Sequence, residues 1–203
     1  EGKHFSAGHD LSETDSAGAM KRYRTVGTMC GFGCAGAEAQ MSREEEIYIG
    51  FSERWRNIPK PTIAAVQGKC IAGGLMLAWP CDLIVAADNA KFSDPVVLMG
   101  IGGVEYHGHT WEFGPRKAKE FLLCAQTFTA EEAERYGLVN RVVPRAELGA
   151  AAKEMADTVA LVPPLTASAV KDTINHTLDV QGQRESWKYH FMVHQLVSAS
   201  ATA

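Results

Sequence analysis

The stretch Gln67-Gly68-Lys69-Cys70-Ile71-Ala72-Gly73-Gly74-Leu75-Met76-Leu77-Ala78-Trp79 reads as the end of a strand, a glycine turn and the first turn of a helix. Paired glycines let a backbone approach a ligand closely, and the opening N–H groups of a helix have no acceptor within it. Such a turn can hold a negative oxygen. Neither GxxxxGK(S/T) nor GxGxxG surrounds Gly68, Gly73 and Gly74, so a nucleotide phosphate is a poor match. The plainer alternative is tight strand–helix packing.

On either side of this turn, Thr62 to Val66 and Asp82 to Ala87 are short, apolar and partly β-branched. Two continuous apolar strands joined by a helix predict a parallel sheet covered on both faces, hence an α/β fold. Upstream, Ser42-Arg43-Glu44-Glu45 has capping-box spacing, and Ile47, Phe51, Trp55 and Ile58 follow at helical intervals until Pro59. The Gly-, Ala- and Ser-rich segment 13–40 predicts a long mobile loop; loops of this length often serve as lids or binding segments, while plain disorder is the commoner explanation of such a composition. Cys30 and Cys34 fall in it without a metal or redox pattern. The start at Glu1 falls mid-element, which suggests a cut N-terminus.

Downstream, Phe92 to Met99 predicts a further strand edge. Gly100 to Gly114 predicts an irregular loop carrying Glu105, Tyr106, His107, His109 and Glu112 among its glycines. Pro115 to Ala125 reads as a helix with proline at its start, and Thr129-Ala130-Glu131-Glu132 as a capping box whose helix stops at Tyr136-Gly137. Leu138 to Val143 predicts a strand. Three helices follow over Arg145 to Leu161, Pro164 to Leu178 and Gln183 to Ser198, the last with Trp187, Phe191, His194 and Val197 along one face.

The chain has 203 residues, 46% of them hydrophobic and 22% charged, which suits one sizeable globular core. A net charge of -4 with scattered Lys and Arg argues against a nucleic-acid partner. No apolar run reaches the roughly 18 residues of a membrane helix, and residues 1–5 lack a signal peptide's apolar segment. Five cysteines in no zinc spacing are expected to stay reduced in a cytoplasm, with no metal bound.

Three pieces, in order, resemble the crotonase (enoyl-CoA hydratase/isomerase) superfamily. Phe5-Ser6-Ala7-Gly8-His9-Asp10-Leu11 is similar to its FxAGxDL segment. Lys60-Pro61-Thr62-Ile63-Ala64-Ala65-Val66-Gln67-Gly68, continuing through Ala72-Gly73-Gly74 to Cys81-Asp82, is similar to KPxIAAVxGxxxGGG…CD. Phe128-Thr129-Ala130-Glu131-Glu132-Ala133, continuing to Val142-Val143-Pro144, is similar to TAxEAxxxGLVxxVVP. The resemblance implies an α/β, crotonase-like (ClpP/crotonase) spiral of ββα turns over residues 1–144, with its opening strands missing. It implies a helical C-terminal region over 145–203 that assembles a homotrimer or dimer of trimers. It implies an acyl-coenzyme A thioester as substrate and no further cofactor, the thioester oxygen being held by the backbone N–H groups of His9 and Gly73. Ser6, Ala7, His9, Asp10, Ile71, Gly73 and Gly74 would line the coenzyme A thioester.

Two positions depart from that pattern. Met76 and Val96 stand where the family's hydratases carry glutamates, and neither transfers a proton. Other branches place one carboxylate on the later loop, near Glu105. Glu105 is therefore the leading acid/base candidate, with Tyr106 and His107 behind it and His109 and Glu112 further out. Asp94, Glu44, Glu45 and Glu46 are expected to be solvated or structural, and Asp82 and Asp10 to brace turns. The competing expectation is an acyl-CoA-binding member that kept the oxygen cradle and lost hydratase chemistry.

Overall fold

The computed structural model describes residues 2–8 and 36–201. Its framework is two small sheets that the chain supplies alternately. Strand β1 (Ile63–Val66) enters the first sheet, a corner at Gly68 turns the chain, and β2 (Lys69–Ile71) enters the second. A 3-10 turn (Ala72–Gly74) and helix α3 (Leu75–Ala78) follow, after which β3 (Leu83–Ala87) and β4 (Lys91–Ser93) repeat the pattern. Ile63 pairs with Leu83 and Cys70 with Phe92, both in parallel register. Strand β5 (Thr127–Thr129) adds antiparallel to β4, and β6 (Arg141–Val143) adds parallel to β3. This alternation is the expected spiral of ββα turns.

The Gly68 corner has a steric cause. Its φ is +57°, and a Cβ there would lie 2.5 Å from the Lys3 carbonyl and 2.6 Å from His4 Nδ1. Only glycine takes that corner beneath the first segment. That segment is stitched to β2: Ser6 N–H donates to Lys69 O at 3.0 Å, and Ile71 N–H donates to Ser6 O at 3.0 Å.

The main core gathers Val66, Leu75, Phe92, Phe121 and Trp187, all fully buried. A second cluster packs Leu148 and Ala151 of α6 (Leu148–Ala160) on Val85 and Ala87 of β3. Asp82 braces the entry to β1, accepting from Thr62 N–H at 2.6 Å and from Lys171 Nζ at 2.8 Å. Helix α5 (Ala130–Tyr136) opens with the expected capping box, Thr129 and Glu132 bonding each other's backbone N–H. It ends at left-handed Gly137. The C-terminal helices α7 (Pro164–Val180) and α8 (Gln183–Ala201) lie close to their predicted places.

Several local expectations are corrected. Ser42 does not cap a helix: α1 (Ala37–Glu44) starts five residues earlier, because Ala37-Glu38-Ala39-Gln40-Met41 are themselves good helix formers. Ser42 is buried inside α1, and the predicted loop ends before Ala37. A π-helical segment (Glu45–Gly50) then joins α1 to α2 (Phe51–Arg56). Of Phe92 to Met99 only Phe92 and Ser93 pair as strand, since Pro95 starts a 3-10 turn (Pro95–Met99) and has no N–H to give a ladder. Helix α4 (His109–Leu123) begins inside the predicted irregular loop and is broken at Phe113 and Gly114, so that Pro115 opens its second part. Of Leu138 to Val143 only Arg141–Val143 pairs. His9, Asp10, Cys30, Cys34 and the remainder of the 13–40 loop lie outside the described residues.

Candidate active site

A cleft of about 490 Å³ opens between the first segment, the π-segment with α2, and the glycine turn. Gly8, Gly73, Met76, Tyr48 and Ser52 are among its walls. The turn can lie this close to the first segment only because it lacks side chains. A Cβ on Gly74 would stand 2.8 Å from Ser6 O, and one on Gly8 (φ +92°) 3.6 Å from Gly73 N. Gly73 sits in the first turn of its helix, where N–H groups have no intrahelical acceptor. Ser6, Gly8 and Gly73 thus meet at one end of the cleft; Ile71 and Gly74 back the turn, and Ala7 is exposed. Met76 is buried against the same cleft, and Val96 is half-buried on the 3-10 turn.

Glu105 is buried, and three hydrogen bonds to the two residues before it fix its loop. Asp94 Oδ2 accepts from Val104 N–H at 2.8 Å, His190 Nε2 donates to Val104 O at 2.9 Å, and His194 Nδ1 donates to Gly103 O at 2.9 Å. Because a carbonyl only accepts, His194 carries its proton on Nδ1 and turns Nε2 toward the carboxylates. Nε2 lies 3.7 Å from Glu105 Oε1 and 3.7 Å from Glu44 Oε2. Burial pushes the Glu105 carboxyl up to about 8, and the nearby charges of Glu44 and Asp94 add to the rise. Tyr48, on the cleft wall, is raised by burial and then by the charges of Glu105 and Glu44.

Of the acids expected to be solvated or structural, Asp94 and Glu44 are both held in contacts with other elements. Asp94 is wholly buried and structural: His109 Nε2 donates to it at 2.9 Å, and it holds the Glu105 loop. Glu44 is half-buried, with Oε2 accepting from Gln195 Nε2 at 2.5 Å and facing His194. The helix period places it one turn from Tyr48.

The remaining candidates separate. His107 Nε2 lies 3.2 Å from Thr110 Oγ1, and its Nδ1 lies 3.3 Å from His109 Nδ1. With His109 donating to Asp94 through Nε2, a consistent neutral chain has His107 donating through Nδ1 and accepting from Thr110. Burial, with His109 and His190 adjacent, pulls His107 down to about 3. Tyr106 is buried with its ring 4.6 Å from Trp187, and with Glu112 it faces a different cavity of about 450 Å³ beside Trp79 and Lys171. Burial pushes Glu112 up to about 8. The structure therefore brings Gly8 and Gly73 together at the cleft, keeps Glu105 buried off its wall but near enough to act on Tyr48 by its charge, and leaves Tyr106 and Glu112 at another cavity. Sequence reasoning missed Glu44, Tyr48 and His194 as companions of Glu105. The available signal was His194, a titratable group on the otherwise apolar face of α8.

Comparison with known proteins gives a consistent result. A family profile described as enoyl-CoA hydratase/isomerase matches residues 1–202. The chain is 42% identical over 203 residues to a Mycobacterium tuberculosis protein named, provisionally, an enoyl-CoA hydratase (EchA13), covering 96% of this chain and 63% of that one. It is 35% identical over 177 residues to the short-chain-enoyl-CoA hydratase of Clostridium acetobutylicum, covering 85% and 60%. The chain thus spans about three-fifths of the length of these relatives. A crystal structure of a probable enoyl-CoA hydratase from Mycobacterium thermoresistibile superposes with a TM-score of 0.87 at 50% identity, covering 100% of this chain and 76% of that one. The fold, the motif order and these matches agree, and the chain belongs to the enoyl-CoA hydratase/isomerase family of the crotonase superfamily.

Proposed function

We propose that this protein is an acyl-CoA-processing enzyme of the enoyl-CoA hydratase/isomerase type. It stabilises a thioester enolate on backbone N–H groups and uses Glu105 for proton transfer. The reading is supported by the meeting of Gly8 and Gly73 at one cleft that Tyr48 also lines, and by buried Glu105, which is not on the cleft wall but whose charge helps to raise Tyr48. An enolate forming at a thioester needs donors fixed in advance, and main-chain N–H groups meet that need without reorganising; Gly73 in the first turn of its helix would supply one, and the family resemblance assigns the other to His9. Removing one such donor costs roughly 3–4 kcal/mol of transition-state stabilisation in other enzymes. With its carboxyl raised to about 8, Glu105 is mostly protonated at neutral pH and is suited to giving a proton to the enolate carbon.

Coenzyme A enters in this reading as part of the substrate, with no further cofactor. The exposed apolar residues Leu161, Leu165, Val170 and Ile174 near and along α7 support a homotrimer or dimer of trimers built on the C-terminal helices. No helix among the described residues is long and apolar enough to cross a membrane, in keeping with a cytoplasmic place.

A second reading, an acyl-CoA-binding member without hydratase activity, is favoured by one observation: the cleft wall at position 76 is methionine. A panel of enoyl-CoA thioesters separates the two. The enzyme reading expects turnover that Glu105→Gln lowers by about 10²–10⁴-fold while acyl-CoA binding persists. Binding with turnover no better than heat-killed protein would establish the second.

A further inference from the structure

We propose that Glu44 is a second proton-transfer carboxylate, forming with Glu105 one proton-sharing dyad whose two halves are joined through His194 Nε2. The proposal rests on the acyl-CoA reading above and replaces what Met76 and Val96 cannot supply. Its geometry comes from three elements remote in sequence. Glu44 Oε2, Glu105 Oε1 and His194 Nε2 lie within 4.8 Å of one another, and Nε2 is 3.7 Å from each carboxylate oxygen.

The tautomer makes this convergence chemical. His194 donates from Nδ1 to Gly103 O, which leaves Nε2 as the ring nitrogen that faces the two carboxylates. Two carboxylates facing one imidazole nitrogen, Glu105 buried and Glu44 half-buried, repel unless a proton sits among them. Burial raises the Glu105 carboxyl to about 8, and the charge of Glu44 adds to that rise. Both partners are held in place: Gln195, next to His194 on α8, donates to Glu44 Oε2, and the Glu105 loop is clamped by Asp94, His190 and His194.

The two carboxylates differ in surroundings, the condition under which a pair divides into acid and base. Glu105 keeps 7% of its side chain exposed and Glu44 17%. The drier group serves as acid, the wetter one as base. The titratable groups facing the dyad are Tyr48 from the π-segment, Asp94 before the 3-10 turn, and His190 and His194 from α8.

In the hydration direction, Glu44 takes a proton from water as its O–H bond breaks, and the water oxygen bonds to C3 of the enoyl group. The C2–C3 π electrons move to the thioester oxygen as an enolate. That enolate collapses as C2 takes the proton of Glu105. The proton on Glu44 then passes by His194 Nε2 to Glu105, restoring both groups, and the net change is one water added across the double bond.

The test uses the purified protein with Glu44→Gln, Glu44→Asp and Glu105→Gln variants and two readouts. The first needs no turnover: the infrared carbonyl stretch of protonated Glu105, identified by its loss in Glu105→Gln, is followed with pH. Removing the Glu44 charge is expected to move its midpoint to lower pH, and an unmoved midpoint would overturn the dyad. The second is kinetic. Glu44→Gln is expected to lower kcat for a 2-enoyl-CoA by about 10²–10⁴-fold with little change in KM, and to remove the acidic limb of the pH profile. Glu44→Asp is expected to restore part of the rate. A Glu44→Gln enzyme with wild-type kcat and both limbs would refute the role of Glu44 and leave the acyl-CoA reading standing. Wild-type protein inert toward every enoyl-CoA would instead remove the acyl-CoA reading, and the infrared midpoint would still decide the dyad.

Discussion

Replacing Glu105 with glutamine tests the buried cluster without any assumption about substrate. In the folded protein this carboxyl holds its proton up to about pH 8, against an ordinary value of 4.5. Between those limits the folded state binds one more proton than the unfolded chain, so the group's contribution to stability is full below pH 4.5 and is lost as pH rises. At about 1.4 kcal/mol per pH unit, the loss from pH 5 to pH 7 is on the order of 2–3 kcal/mol. A glutamine at this position has the same shape and no titrating proton. His107 and His190, pulled down to about 3 and about 4, act in the opposite sense below their ordinary 6.5, but equally in both proteins. Urea denaturation at pH 5, 6 and 7 isolates the effect as the difference between wild type and Glu105→Gln. That difference is expected to shift toward the variant by roughly 2–3 kcal/mol as pH rises from 5 to 7. A difference independent of pH would show that Glu105 titrates as if in water, and the buried cluster would be refuted.

Other perturbations probe the frame around the cleft. Gly74→Ala forces a methyl to within 2.8 Å of Ser6 O, so it should lower stability by about 1–3 kcal/mol and weaken acyl-CoA binding; unchanged thermal unfolding would show that the first segment is not seated on the turn. Lys171→Met removes the buried cation that binds Asp82 at 2.8 Å and Lys60 O at 3.1 Å. Asp82 keeps its Thr62 bonds, so a loss of about 2–3 kcal/mol in urea titration is expected. Thr129→Ala breaks the capping box of α5 and should cost about 1 kcal/mol with catalysis unchanged, read by thermal unfolding and steady-state rates.

How much of this was legible in the sequence follows the range of the interactions involved. The glycine turn could be read because its cause is local: a left-handed corner at Gly68 and a close approach at Gly74 admit no other residue. The capping box of Thr129 and Glu132 is likewise complete within four residues. That same pattern misled at Ser42, where five preceding helix formers had already started α1. The crowded loop was recognised by its composition, but its sorting was not. Asp94, His190 and His194 reach Val104 and Gly103 from distant segments, and these bonds aim Glu105 one way while Tyr106 turns to Trp187. Glu44 looked like one of three adjacent surface acids. Only the packing of α8 against α1 shows that it faces His194.

The central claim is that the cleft at Gly73 performs proton transfer on an acyl-CoA with Glu105. Its most direct test incubates the purified protein with a 2-enoyl-CoA in ¹⁸O-labelled water and follows the thioester by mass spectrometry. The account predicts a 3-hydroxyacyl-CoA carrying the label, formed by the wild type and reduced by about 10²–10⁴-fold in Glu105→Gln. Equal labelling by wild type and Glu105→Gln, or no altered thioester with either, would contradict it.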